Sequence, residues 1–292
     1  MALPPDSLSL PSDSLPQAAP GAAASQPCDS TIEVAPGQEV AVRLYGRKKP
    51  GQRLPLVVHF HGGAFTSGGL DNGCTVAALL EGAGALVVSV AYPLTPFPQP
   101  VDTGYGVLKW AYRNRARLAG QGALLYLAGE EAGGNLAAAV SLMARDQSHP
   151  PLAGQILLSP MLDPCAGTAS LREATGDATG CKWAEGWRKF LRSPRDAEHP
   201  YAVPAAAQRL AGLPPTLILV GDTDPMRDEA LAYAARLRAA GLPVTQHVFS
   251  KNATWPDALL QQQPAPAGCP CAGAAQAQFD LFFESTRTAE PA

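Results

Sequence analysis

The sequence predicts an α/β fold: an open, mostly parallel sheet with helices on both faces. Two observations carry this. From Leu56 onward, short β-branched or leucine-rich runs alternate with longer stretches of helical periodicity. Most of those runs are continuously apolar, as strands buried on both faces of a parallel sheet are.

The elements follow in order. Thr31–Val34 and Val40–Leu44 alternate apolar and polar residues and are expected as half-buried strands. The apolar runs Leu56–Phe60, Ala85–Ala91, Leu124–Ala128, Gln155–Ser159, Thr216–Val220 and Val244–Phe249 are the predicted core strands. Helices are expected near Thr75–Glu81, Val101–Ala119, Ala132–Asp146 and Pro225–Ala240. The last carries Leu231, Ala234, Ala235 and Leu237 at helical spacing, with Gly241 just past its end. Residues 161–213 interrupt the alternation. Trp183, Trp187 and Phe190 at helical spacing predict a small cap insertion over the sheet. Residues 261–275 are expected as an irregular loop, before a helix near Ala274–Glu284 with Phe279, Phe282 and Phe283. Residues 1–30 contain few large apolar groups and cannot offset the entropy of ordering, so a disordered leader is expected and the domain is drawn over 31–292.

Composition excludes several classes. A chain of 292 residues allows one large domain or two small ones. Lys plus Arg is 22 against 25 for Asp plus Glu, a formal net charge of −3, so no basic surplus exists to drive nucleic-acid binding or docking on anionic lipid. Apolar runs such as Ala83–Val90 fall far short of the ~20 residues of a membrane span. Met1–Asp6 lacks the basic and apolar regions of a signal peptide. The close pair Cys269 and Cys271 matches neither a redox nor a zinc spacing. Free thiols in a cytoplasmic protein, with no metal site on these cysteines, are therefore expected.

Three segments carry chemistry. After the run Leu56–Phe60 comes His61-Gly62-Gly63-Ala64-Phe65, whose consecutive glycines let backbone N–H groups point at a developing negative charge. After Leu124–Ala128 comes Gly129-Glu130-Glu131-Ala132-Gly133-Gly134-Asn135-Leu136, a strand-to-helix turn with small flanking residues. Past Thr216–Val220 comes Gly221-Asp222-Thr223-Asp224-Pro225-Met226-Arg227-Asp228, a carboxylate just beyond a strand. With Tyr92-Pro-Leu-Thr-Pro96 and His199-Pro-Tyr-Ala-Val-Pro204, these stand in the order in which they occur in the hormone-sensitive-lipase branch of the α/β-hydrolase family, which the sequence resembles from about Leu54 to Phe249.

The resemblance implies an α/β-hydrolase fold, carboxylic-ester hydrolysis by a Ser-Asp-His triad, and no cofactor. It assigns the triad acid to Asp224 and the oxyanion donors to the backbone of Gly62, Gly63 and Ala132. It assigns the nucleophile to Glu131 and the histidine to Thr254, neither of which has the required side chain. The other histidines are His59, His61, His149 and His199, with His247 towards the beginning of the last strand. Ser141 stands nearly three turns into the helix after the elbow. The family's arginine and acidic residue after Tyr92 are replaced by Pro93 and Phe97.

Three roles are open to Glu131. It could act as a carboxylate nucleophile, as an aspartate does in the dehalogenases, although Thr254 offers no base for the second step. It could plug the oxyanion hole, where a helix N-terminus and oriented N–H groups stabilise negative charge. It could share a cation with Asp224 and His61. Glu130 and His61 are expected to be structural, and Asp222 and Asp228 to be loop or capping carboxylates. The expected function is an esterase-inactive homologue binding a small apolar ligand or a partner in the former acyl pocket, as the plant gibberellin receptors of this branch do. The alternative is an active ester hydrolase using an unusual site.

Overall fold

The computed structural model describes residues 26–164, 167–175, 182–253, 255 and 270–288. Eight strands form one sheet in the order β1-β2-β4-β3-β5-β6-β7-β8. β1 (Cys28–Ala35) and β2 (Gln38–Tyr45) form an antiparallel hairpin whose edge pairs with β4 (Leu86–Val90). β3 (Leu56–Phe60), β4, β5 (Leu125–Glu130), β6 (Gly154–Leu158), β7 (Thr216–Gly221) and β8 (Val244–Phe249) are parallel. The helices are α1 (Cys74–Gly82), α2 (Gln99–Leu118), α3 (Ala132–Asp146), α4 (Ala169–Thr175), α5 (Lys182–Phe190), α6 (Pro194–Ala197), α7 (Arg227–Ala239) and α8 (Pro270–Thr288).

Alternation along the strands divides the core into two layers. Leu56, Val58 and Phe60 face one layer, built with α2, α3 and α7; Val57 faces the other, built with α1 and α8. Both faces of β3 to β7 are buried, which is why those runs lack a polar period.

The boundaries differ from expectation where backbone pairing or capping outweighs side-chain pattern. Order begins before Thr31: Cys28, Asp29 and Ser30 pair with Leu44, Arg43 and Val42, and Asp29 binds the Arg43 guanidinium. The predicted leader is thus too long by three residues of strand, and its residues 1–25 lie outside the described residues. The helix expected from Pro225 starts at Arg227, because Asp224 takes the Met226 N–H at 2.9 Å. Its buried face is Ala230, Tyr233, Ala234 and Leu237, while Ala235 is exposed. The final helix starts at Pro270, so 270–275 are helical rather than irregular; Phe279, Phe282 and Phe283 are buried as predicted.

Between β6 and β7, residues 161–213 carry α4, α5 and α6. α5 packs Trp187 and Phe190 inward, Phe190 stacking on Phe65 with centroids 4.0 Å apart. Gly186 lets the helix approach, since a Cβ there would overlap the Ala64 carbonyl oxygen. No helix among the described residues is long and apolar enough to cross a membrane.

Candidate functional site

The turns that follow β3, β5 and β7 meet at the carboxyl ends of the parallel strands. The β5–α3 turn is the sharpest. Glu131 has φ 48° and ψ −115°, a conformation that costs a non-glycine residue on the order of 1–3 kcal/mol. The surrounding backbone holds it there: Glu131 N–H donates to the Leu158 carbonyl at 3.1 Å, and the Glu131 carbonyl accepts from Met161 at 3.0 Å. The flanking glycines have a physical reason. A Cβ at Gly129 would overlap the Gly133 carbonyl, and one at Gly133 would overlap the Phe60 carbonyl.

The Glu131 carboxylate is buried and fully engaged. Oε2 accepts the Gly63 N–H at 3.0 Å. Oε1 accepts from the Lys182 ammonium at 2.9 Å and from the Trp183 indole N–H at 3.2 Å. Lys182 is 44% exposed, which limits the ion pair to about 1 kcal/mol or less. Of the two glycines expected as oxyanion donors, Gly63 points at Glu131. Gly62 does not: its N–H donates to Glu130 Oε1 at 3.1 Å. Glu130 Oε2 lies 2.7 Å from His59 Nε2, and His59 Nδ1 lies 3.1 Å from the Ser89 hydroxyl, so Glu130 belongs to a buried polar chain. Ala132 is the first residue of α3, where backbone N–H groups have no intrahelical acceptor.

Asp224 is buried beneath the same surface. It accepts from the Ser159 hydroxyl, from Met226 N–H at 2.9 Å and from Gly221 N–H at 3.4 Å. Burial pushes its carboxyl above the usual carboxylate range, against the downward pull of these three bonds; the nearby Glu131 charge pushes it further up. Ser159 also accepts the Trp255 indole N–H at 2.9 Å, so a serine with φ 44° links Asp224 to the segment after β8. Thr254 lies outside the described residues. Trp255 is buried, stacked on Phe249 at 4.5 Å.

The histidines are occupied elsewhere. His61 is buried, stacked on Tyr92 at 4.3 Å, with Nδ1 2.7 Å from the Gly62 carbonyl. Burial lowers its pKa, so the neutral ring donates from Nδ1. His247 is not near the beginning of the last strand: it sits mid-strand opposite Leu219, its ring against Phe249. The cation arrangement of Glu131, Asp224 and His61 does not form. The ammonium of Lys182 neutralises Glu131, and no group of three His, Cys, Asp or Glu among the described residues is placed to hold a metal.

Beside Glu131 lies a polar cavity of about 210 Å³, reached by Thr66, Ser67, Asn72 and Lys182. On the apolar side, Phe65, Trp187 and Phe190 pack on one another under α5. Lys182 and Ser159 were missed in the sequence. A lysine at a helix start and a serine ending a strand carry no local signal, and only the tertiary structure brings them to Glu131 and Asp224.

A family model described as alpha/beta hydrolase fold matches residues 57–253. The chain belongs to the α/β-hydrolase family, in its hormone-sensitive-lipase-like branch. Among the relatives of this α/β hydrolase is carboxylesterase NlhH of Mycobacterium tuberculosis, 34% identical over 215 residues, which cover 70% of this chain and 67% of that protein. The gibberellin receptor GID1C of Arabidopsis thaliana is 33% identical over 211 residues, covering 66% of this chain and 60% of the receptor. A solved thermostable esterase from Pseudomonas putida superimposes on this α/β hydrolase with a TM-score of 0.79 at 27% identity, over 91% of this chain and 84% of its own. The chain is carboxylesterase-like in fold and sequence.

Proposed function

We propose that this α/β hydrolase does not carry out triad ester hydrolysis and that Glu131 plugs its oxyanion site, leaving the former acyl pocket to bind a small apolar ligand or a partner. The observation that carries the reading is the Glu131 carboxylate on the Gly63 N–H, with Lys182 and Trp183 on its other oxygen. A donor that an oxyanion would need is taken by a resident anion. Glu131 offers no hydroxyl, and Asp224 is bonded to Ser159 and to backbone N–H groups. The similarity to a gibberellin receptor supports ligand binding by this fold.

The test is turnover of a short p-nitrophenyl ester together with labelling by a fluorophosphonate. Neither is expected in the wild type, and Glu131→Ala is expected to lose no activity. Turnover that collapses in Glu131→Ala would sink the plug. It would favour the second reading, an active ester hydrolase in which Glu131 attacks the acyl carbon, the ester C–O bond breaks and the alcohol leaves with a proton from water, and a second water then cleaves the anhydride to the free acid and the Glu131 carboxylate. What favours that reading is that Glu131 keeps the strained turn conformation in which a nucleophile is presented.

A further inference from the structure

The net charge of −3 conceals a strong segregation. From Val40 to Leu70 the chain has five basic residues and no acidic one; from Thr103 to Gly129 it has four basic residues and no acidic one. The fold brings these segments together at the amino ends of the parallel strands, opposite the candidate site. The 46–55 loop leaves β2 and crosses the start of β4, where Leu86 N–H donates to the Pro55 carbonyl at 2.9 Å. It then meets the end of α2, where Leu54 N–H donates to the Ala119 carbonyl at 2.8 Å. Arg53 reaches towards Gly122 and lines a hollow with Arg287.

Of these residues Arg43 is paired with Asp29 and Asp71, but little of the remaining charge is compensated among the described residues. Among the described residues, none of Arg47, Lys48, Lys49, Arg53 and Arg113 pairs with a carboxylate in a salt bridge. Arg117 donates to the neutral Asn114 side chain at 2.9 Å, and among the described residues it forms no salt bridge. Glu81, beside Gly46, borders this face. Crowded like charges repel unless a polyanion neutralises them.

We infer that this face docks on an anionic lipid bilayer. Two features of the face speak against a groove-filling or stacking partner and for a planar one. The hollow between Arg53 and Arg287 is about 10 Å³, too small for a base or a headgroup. The nearby Tyr112 ring is covered by the Arg115 guanidinium at 3.8 Å, so it offers no platform for a nucleic-acid base. What remains is a set of exposed cations that a sheet of phosphate and carboxylate headgroups satisfies all at once. Docked this way, the candidate site faces away from the bilayer.

The experiment is sedimentation of the full chain with phosphatidylcholine vesicles containing about 30% phosphatidylserine, a composition with a strong surface potential. Binding is expected at low salt, with release near ~0.5 M salt, where the Debye length has shrunk to a few ångströms. Pure phosphatidylcholine is expected not to bind. K48E/K49E/R53E is expected to weaken partitioning at least ~100-fold, since each basic residue near such a surface is worth about fivefold. Arg113→Glu with Arg117→Glu, on the helix rather than the loop, is expected to weaken it too. Arg188→Glu with Lys189→Glu, on exposed α5 positions, and Glu131→Ala are expected to leave it unchanged. The proposal is overturned if phosphatidylserine vesicles do not bind, if both reversal variants bind as the wild type does, or if duplex DNA binds and the vesicles do not.

Discussion

Glu131 satisfies three donors with two oxygens, so Glu131→Ala strands the Gly63 N–H, the Trp183 indole and the Lys182 ammonium together. Unpaired buried donors cost about 1–3 kcal/mol, which sets the expected loss of stability. A small carboxylate should refill the vacated cradle. About 100 mM acetate is expected to raise the unfolding temperature of Glu131→Ala by a few degrees, as binding to the folded state alone requires, and to leave the wild type unmoved. Sodium chloride at equal ionic strength is the control; an equal acetate response in both proteins would count against the cradle. At this scale the sequence disclosed much. The elbow glycines and the displaced serine were legible because small residues are required where backbones touch. Which oxygen bonds which donor was not, because Lys182 and Trp183 come from an element 51 and 52 residues away.

The insertion after β6 is held by two contacts of different kinds, and each makes a prediction. Gly186→Ala would drive a Cβ into the Ala64 carbonyl, so α5 is expected to undock, with a red shift of Trp183 and Trp187 fluorescence. Unchanged emission would show that the helix tolerates the methyl group. At the other end, Glu229 on α7 takes the Leu162 N–H at 2.9 Å. Burial pushes its carboxyl up to about 8 from 4.5. Its proton is thus bound more tightly in the folded state, and the stability this adds is fully present below pH 4.5 and is lost as pH rises through about 8. Urea midpoints of the wild type are expected to fall as pH rises from about 4.5 to about 8 and then level off, and those of Glu229→Gln to stay flatter. Three elements match residue for residue, the buried Leu56–Phe60, Ala132–Asp146 and the largely exposed Val244–Phe249, while the buried strands β4, β5 and β6 are found with ends shifted by one or two residues. The misses lie at ends, where Asp29 and Asp224 set the boundary through hydrogen bonds rather than through hydropathy.

Across the whole molecule, stability should grade from the centre of the sheet outward. β3 and β5 are paired on both sides and buried on both faces, whereas β1 and β8 are edges. Amide exchange is expected to be slowest in Leu56–Phe60 and Leu125–Glu130 and fastest in the edge strands; uniform protection would contradict this gradient. The mostly parallel α/β sheet was readable from the alternation of apolar runs and helical stretches, but the order of its strands was not; the acid-free runs Val40–Leu70 and Thr103–Gly129 stand in the sequence, and only the fold brings them together. One contact also bears on anyone rebuilding a hydrolase here. Serine at 131 and histidine at 254 would supply a nucleophile and a base, yet the Gly62 N–H would stay tethered to Glu130 and its His59 partner. A single missing oxyanion donor typically slows acyl transfer by about 10²–10³-fold. The repaired protein should therefore start as a slow esterase, and shortening that tether with Glu130→Asp should be the step that accelerates it.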